Sequence, residues 1–177
     1  MDDWRSPELD GRADVETQGR RLASGRTPEA EILTELFIEV FRLRAALERR
    51  GNEMTRGFGQ TCSRWQVLRV VHERPSAIPQ IARRLGLTRQ AVQRLADLLV
   101  DAKLAKYDAN PAHLRSPRLR LTPRGEATLQ QIDVLQTRWS NRMANGSLRR
   151  NLEITLRTLR QLIERLERTP TGPRRAA

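Results

Sequence analysis

Apolar residues recur at helical spacing from residue 28 onward. Thr27-Pro28-Glu29 places a capping hydroxyl, a first-position proline and an acid in the order that opens a helix. Ile32, Leu33, Leu36, Phe37, Val40 and Phe41 follow on one face, predicting a helix that ends near Gly51. Residues 52–63 read as a polar connection around Gly57 and Gly59, and a short helix with Trp65, Leu68, Val71 and His72 then stops at Pro75-Ser76. Ala77-Ile78 suits a brief strand. Pro79 opens a compact helix over 79–85, with Ile81, Ala82 and Leu85 inward, and Gly86 takes the turn because it tolerates positive φ. Thr88 caps a longer helix to about residue 101, with Val92, Leu95, Leu98 and Leu99 on its buried side. Two helices joined across a short glycine turn form a helix-turn-helix pattern.

The pattern then changes period. Residues 104–108 suit a strand, Asn110-Pro111 a turn, and Arg118-Leu119-Arg120-Leu121 alternates as a half-buried strand does. Thr122-Pro123 repeats the helix-opening signal, and Leu129, Ile132, Leu135 and Trp139 lead to Met143. Asn145-Gly146 breaks that helix. A last one, over 147–167, sets Leu148, Leu152, Leu156, Leu159, Ile163 and Leu166 in a near-heptad seam of the kind that packs helix against helix. Residues 1–27 carry no such periodicity and read as an arm; 169–177 read as a loose tail. The expected fold is mainly α: a winged helix-turn-helix with a small β-hairpin wing, flanked by N- and C-terminal helices.

Composition narrows the function classes. The chain has 177 residues and a formal charge of +12, which suggests an anionic partner, nucleic acid first. Between residues 76 and 125 stand ten basic and three acidic side chains, so the surplus concentrates on the helix-turn-helix and wing. Only Lys103 and Lys106 among the 33 basic residues are lysines; an arginine bias that uniform reflects genome composition more than function. No apolar run approaches the 20 or so residues of a membrane span, and the first 20 residues lack the apolar stretch of a secretory signal. A cytoplasmic protein is expected. One cysteine, Cys62, and two histidines, His72 and His113, give neither a disulfide framework nor a metal site, so no metal and no cofactor are expected. Gly-rich phosphate loops and nucleophile–base pairs are absent, and the chain is not read as an enzyme.

Starting the second helix of the pair at Thr88, the residues not required by the core are Arg89, Gln90, Gln93 and Arg94, four-residue neighbours over one quadrant. In a major groove, Arg grips guanine and Gln adenine. Arg115 and Arg118 flank Pro117 on the wing, where an arginine enters a narrow minor groove. The plainer alternative for all of them is a solvated surface. Arg83 and Arg84 divide evenly between phosphate contact and solvent.

The segments SRWQVLRVV (63–71), IARRLGLTRQAVQRLADLLVDAKL (81–104) and NPAHLRSPRLRLTPRGEA (110–127) resemble the MarR (multiple antibiotic resistance regulator) family, and the similarity runs over about 30–168. The resemblance implies a domain over 28–168, with its winged core at 61–125 and dimerisation helices at 28–51 and 123–168. It implies a homodimer held through Leu36, Phe37 and Val40 and through Leu152, Leu156, Leu159, Ile163 and Leu166. Such a protein would repress transcription from a pseudo-palindromic double-stranded operator and be released by a small, often aromatic, effector. Met54, Phe58, Trp65, His72 and Trp139 would line the effector crevice; their alternative reading is ordinary core. Two departures stand out: Lys103 replaces a glycine usual after the recognition helix, and His113 lies near a usual wing acid. Three other readings remain: a non-specific architectural DNA-binding protein, a redox-responsive regulator acting through Cys62, and a protein-interaction module using the leucine-striped last helix.

Overall fold

The structure, a computed structural model, describes residues 25–110 and 116–168. Contacts divide the chain into two units, with the boundary between Gln66 and Val67.

In the first unit, α1 (Pro28–Thr55) starts as predicted, with Ala30 N–H donating to the Thr27 hydroxyl at 3.2 Å. Its end is a correction. The helix passes through Gly51 to Thr55, and a 3₁₀ turn (Arg56–Phe58) and Gly59, at φ 64°, follow in place of a polar connection. The glycine has another purpose: a Cβ on Gly51 would sit 2.4 Å from the Cys62 sulfur. Gly51 therefore lets the helix and the start of α2 (Cys62–Glu73) approach, and Asn52 Oδ1 accepts the Cys62 N–H at 2.8 Å. Thr55, fully buried, closes the corner by donating to Gly51 O.

The second unit holds the core. Val67, Leu68 and Val71 of α2 are buried, as are Ile81 and Ala82 of α3 (Ile78–Leu85) and Val92, Ala96 and Leu99 of α4 (Arg89–Asp101). Leu119, Leu121, Leu129 and Ile132 complete it. Ser76–Ala77 (β1), Ala105–Asp108 (β2) and Arg118–Leu121 (β3) make an antiparallel sheet in the order β1-β3-β2, with Tyr107 opposite Leu119. Strand β1 thus lies one residue earlier than the pattern predicts, because Gln80 Oε1 accepts the Ala77 N–H and starts α3 at Ile78. Leu98 is a second correction. It is 43% exposed, while Ala96, one residue from Leu95, takes the inward position.

Helix α5 (Pro123–Ala144) buries Leu129 and Ile132, but Leu135 and Met143 are exposed. Helix α6 (Arg149–Arg168) has no buried residue at all. No described helix is long and apolar enough to cross a membrane.

Candidate nucleic-acid interface

Both helices of the helix-turn-helix end the same way. At the end of α3, Leu87 N–H reaches Ala82 O and Gly86 stands at φ 63°. At the end of α4, Leu104 N–H reaches Leu99 O, Lys103 N–H reaches Val100 O, and Lys103 stands at φ 58°. These are Schellman caps, whose left-handed residue is usually glycine. The lysine holds the same backbone turn at a cost of about 1 kcal/mol.

Helix α4 starts at a capping Thr88, whose hydroxyl accepts the Ala91 N–H at 3.1 Å and keeps its proton to donate outward. Arg89, Gln90, Gln93 and Arg94 are all exposed. The charge order along this helix opposes its dipole. Helices α1 and α5 carry acids in their first turns, Glu29 and Glu31 in one and Glu126 in the other. Helix α4 carries Arg89 there, no acid in that turn and no base in its last turn, which holds Asp101. A cation at a helix N-terminus loses about 0.3–1 kcal/mol, and the same end attracts anions. The arrangement weakens the helix and concentrates positive potential at its tip.

The wing is anchored at its rear. Thr122 N–H donates to Leu104 O, the Thr122 hydroxyl donates to Lys103 O at 2.7 Å, and the same oxygen accepts the Gly125 N–H. Asn110, buried, donates to Ser116 O and draws the two arms together. Arg118 is exposed on β3, Arg120 pairs with Asp108 and Arg84 with Glu73. Arg83, Arg89, Arg94 and Arg118 have no ion-pair partner among the described residues. Arg115 and His113 lie outside the described residues. A cleft of about 460 Å³ opens between the start of α4 and the wing, lined by Ile78, Arg89, Gln90, Gln93, Tyr107 and Pro117.

Sequence reasoning missed two residues here. Tyr107 on β2 donates to Asp97 on α4 at 3.1 Å, and Gln93 donates to both, at 2.8 Å each. The spacing of Gln93 and Asp97, four apart on a helix, was the available signal. Burial, with the Asp97 carboxylate second, pushes the Tyr107 hydroxyl up to about 12. Tyr107 is the chain's one tyrosine, so tyrosinate absorbance near 295 nm reads it directly. The expected midpoint lies well above the ordinary 10 and falls part of the way back in Asp97→Ala. Titration at the ordinary value in the native protein would break the contact.

The sequence profile of the MarR family matches residues 58–116. Uncharacterized protein Rv2011c of Mycobacterium tuberculosis is 41% identical over 135 residues, 76% of this chain and 94% of that protein. The chain belongs to the MarR family. Among solved structures, a MarR/EmrR family transcriptional regulator from Acinetobacter superposes with a TM-score of 0.71 at 16% identity, over 78% of this chain and 99% of that one. Staphylococcus aureus MarR in complex with salicylate and kanamycin gives 0.66 at 15% identity, over 79% and 95%. The fold is that of MarR-family transcriptional regulators, and the helix-turn-helix and wing are its DNA-binding parts.

The remaining candidates of this MarR-family chain fall in separate units. Met54, Phe58 and Trp65 are half-buried in the first, and the Trp65 Nε1–H has no partner among the described residues. In the second, His72 is exposed and Trp139 half-buried. Leu36, Phe37, Val40 and Leu159 are half-buried, while Leu152, Leu156, Ile163 and Leu166 are exposed. Cys62 is buried, and desolvation, then Glu48, pushes its thiol up; a suppressed thiolate makes a poor oxidant sensor.

Proposed function

We propose that the chain is a homodimeric repressor that reads a pseudo-palindromic operator with Thr88, Arg89, Gln90, Gln93 and Arg94 in the major groove. Arg118, with Arg115, serves the minor groove beside it. The observation that carries this reading is the inverted charge order of α4: a helix that places Arg89 against its own dipole gives up stability for a cationic tip. Repression follows from occlusion of a promoter by the bound dimer.

Dimerisation is supported by α6. Helix stability in proteins comes mostly from packing an apolar face, and this 20-residue helix has no fully buried residue. Its Leu152, Leu156, Ile163 and Leu166, together with Ile32 and Phe41 of α1, are the faces a second copy would cover. A two-fold dimer sets half-sites about one helical turn apart.

The effector is proposed as a small aromatic carboxylate. Support comes from the likeness in fold to the S. aureus protein solved with salicylate, and from half-buried Met54, Phe58 and Trp65, the last with an Nε1–H that has no partner among the described residues.

Selection of duplexes from a randomised pool, followed by mobility shift on the winner and on random DNA, tests the reading. Arg89→Ala is expected to cost operator binding about 10-fold or more while leaving random-duplex binding within about twofold. Arg118→Ala is expected to weaken both about equally. Equal losses on both duplexes for Arg89→Ala would remove Arg89 from base recognition, and a wild-type protein without any preferred sequence would make it an architectural binder.

A further inference from the structure

Gln93 was assigned above to the generic pairing of glutamine with adenine, in which the side-chain amide donates to N7 and its carbonyl accepts from N6. Its surroundings do not leave both functions available. A glutamine amide has two hydrogens and one carbonyl oxygen. Nε2 lies 2.8 Å from Asp97 Oδ1 and 2.8 Å from the Tyr107 hydroxyl, one partner for each hydrogen. The orientation of the amide is fixed by chemistry, since an ionised carboxylate only accepts and so must face the nitrogen. The Tyr107 proton goes to Asp97, 3.1 Å away, which leaves the phenol oxygen to accept from Gln93. Every donor of the triad is spent; Gln93 is left with its carbonyl oxygen and Asp97 with Oδ2, so the triad presents acceptors only.

We infer that Gln93 reads DNA as an acceptor only and therefore selects a base with an exocyclic amino group, adenine or cytosine, over guanine or thymine. The inference rests on the placement of α4 in the major groove proposed above. Guanine offers N7 and O6 there and thymine O4, all acceptors that would face the carbonyl oxygen without a hydrogen between them; adenine offers the N6 amino group and cytosine the N4 amino group. Tyr107 and Asp97 are positioning residues that set which face of the amide meets the base. Strand β2 brings Tyr107 to α4 because the ladder with β3 fixes it opposite buried Leu119. The wing thus edits the code of the helix beside it. The high titration range of Tyr107 keeps the phenol proton in place throughout the neutral range.

The test is selection from a randomised duplex pool with the full chain as wild type, Gln93→Ala, Tyr107→Phe and the double variant Asp97→Ala/Tyr107→Phe. All three substituted side chains are at the surface or half-buried, and circular dichroism establishes that each variant folds. At one position in each half-site, wild type is expected to take adenine or cytosine about fivefold over guanine or thymine, and Gln93→Ala to lose that preference. In the double variant both amide hydrogens are released, and the same position is expected to narrow to adenine by about 10-fold over cytosine. Tyr107→Phe releases one hydrogen and should move in the same direction. The inference is overturned if the double variant and wild type select the same base there, or if Gln93→Ala leaves every position unchanged while Arg89-dependent positions persist. Loss of all sequence preference in wild type would instead remove the groove placement, and the inference with it.

Discussion

Gly125→Ala is expected to destabilise the protein by about 3 kcal/mol, lowering Tm by about 6–12 °C for a chain of this size. A Cβ at residue 125 would sit 1.9 Å from the carbonyl oxygen of Leu104 and 2.9 Å from its carbonyl carbon. The obstruction is backbone, so no rotamer change relieves it. The first turn of α5 would have to withdraw from the start of β2. That withdrawal takes with it the Thr122 N–H to Leu104 O bond, at 3.0 Å, and the Thr122 hydroxyl to Lys103 O bond. Both ends of the wing are tied at this one point, so DNA affinity should fall along with stability. Gly57→Ala is the control: a Cβ there meets nothing within 4 Å, and its effect should stay within about 0.5 kcal/mol. Thermal or urea unfolding of the two variants decides the matter. A Gly125→Ala protein as stable as Gly57→Ala would mean that the α5–β2 contact is looser than drawn.

The second large effect is that of salt on operator binding. Arg83, Arg94 and Arg118 are exposed without an ion-pair partner among the described residues, whereas Arg84 and Arg120 already face Glu73 and Asp108. Three such arginines per subunit, doubled by two-fold symmetry, would displace at least about six counterions from the duplex, whether they meet phosphates or sit in a groove, giving a slope of log K against log salt of about −5 or steeper. Between 50 and 200 mM salt the affinity should then drop by about a thousandfold. Fluorescence anisotropy across that range measures it. A slope near zero would remove phosphate contact as the basis of binding. Charge removal at Arg83, which takes one charge from each subunit, should flatten the slope by about two units, and removal at Arg84, already paired, by less.

What the sequence disclosed was chemistry confined to a few neighbouring residues. Thr27-Pro28, Thr88 and Thr122-Pro123 marked three helix starts because an N-cap is made by residues within four positions of each other. The glycine turn at Gly86 and the alternation of Arg118–Leu121 were equally local. Errors came where a residue answered to something distant. Gly51 looked like a stop, but it is small to admit Cys62, eleven positions on. Leu98 looked inward because three leucines and two valines share α4, yet only the positions in line with Val92 and Leu99 face the core. The Tyr107 contact was invisible for a similar reason. It depends on how β2 registers against β3, which no periodicity reports. The exposed residues of α4 could be read off as what the core left over, whereas the partners that occupy Gln93 could not.

The reversed polarity of α4 also says what kind of compromise this molecule embodies. Selection for heat resistance alone would replace Arg89 by an acid, as the other two threonine-capped helices, α1 and α5, have at their own beginnings. Such a chain would keep its shape more securely and, on the proposed reading, lose the base contact of Arg89. On the proposed reading, the small penalty carried by the unbound protein would be relieved when Arg89 meets its base, so part of the preference for the operator would be relief from a tension built into the free state.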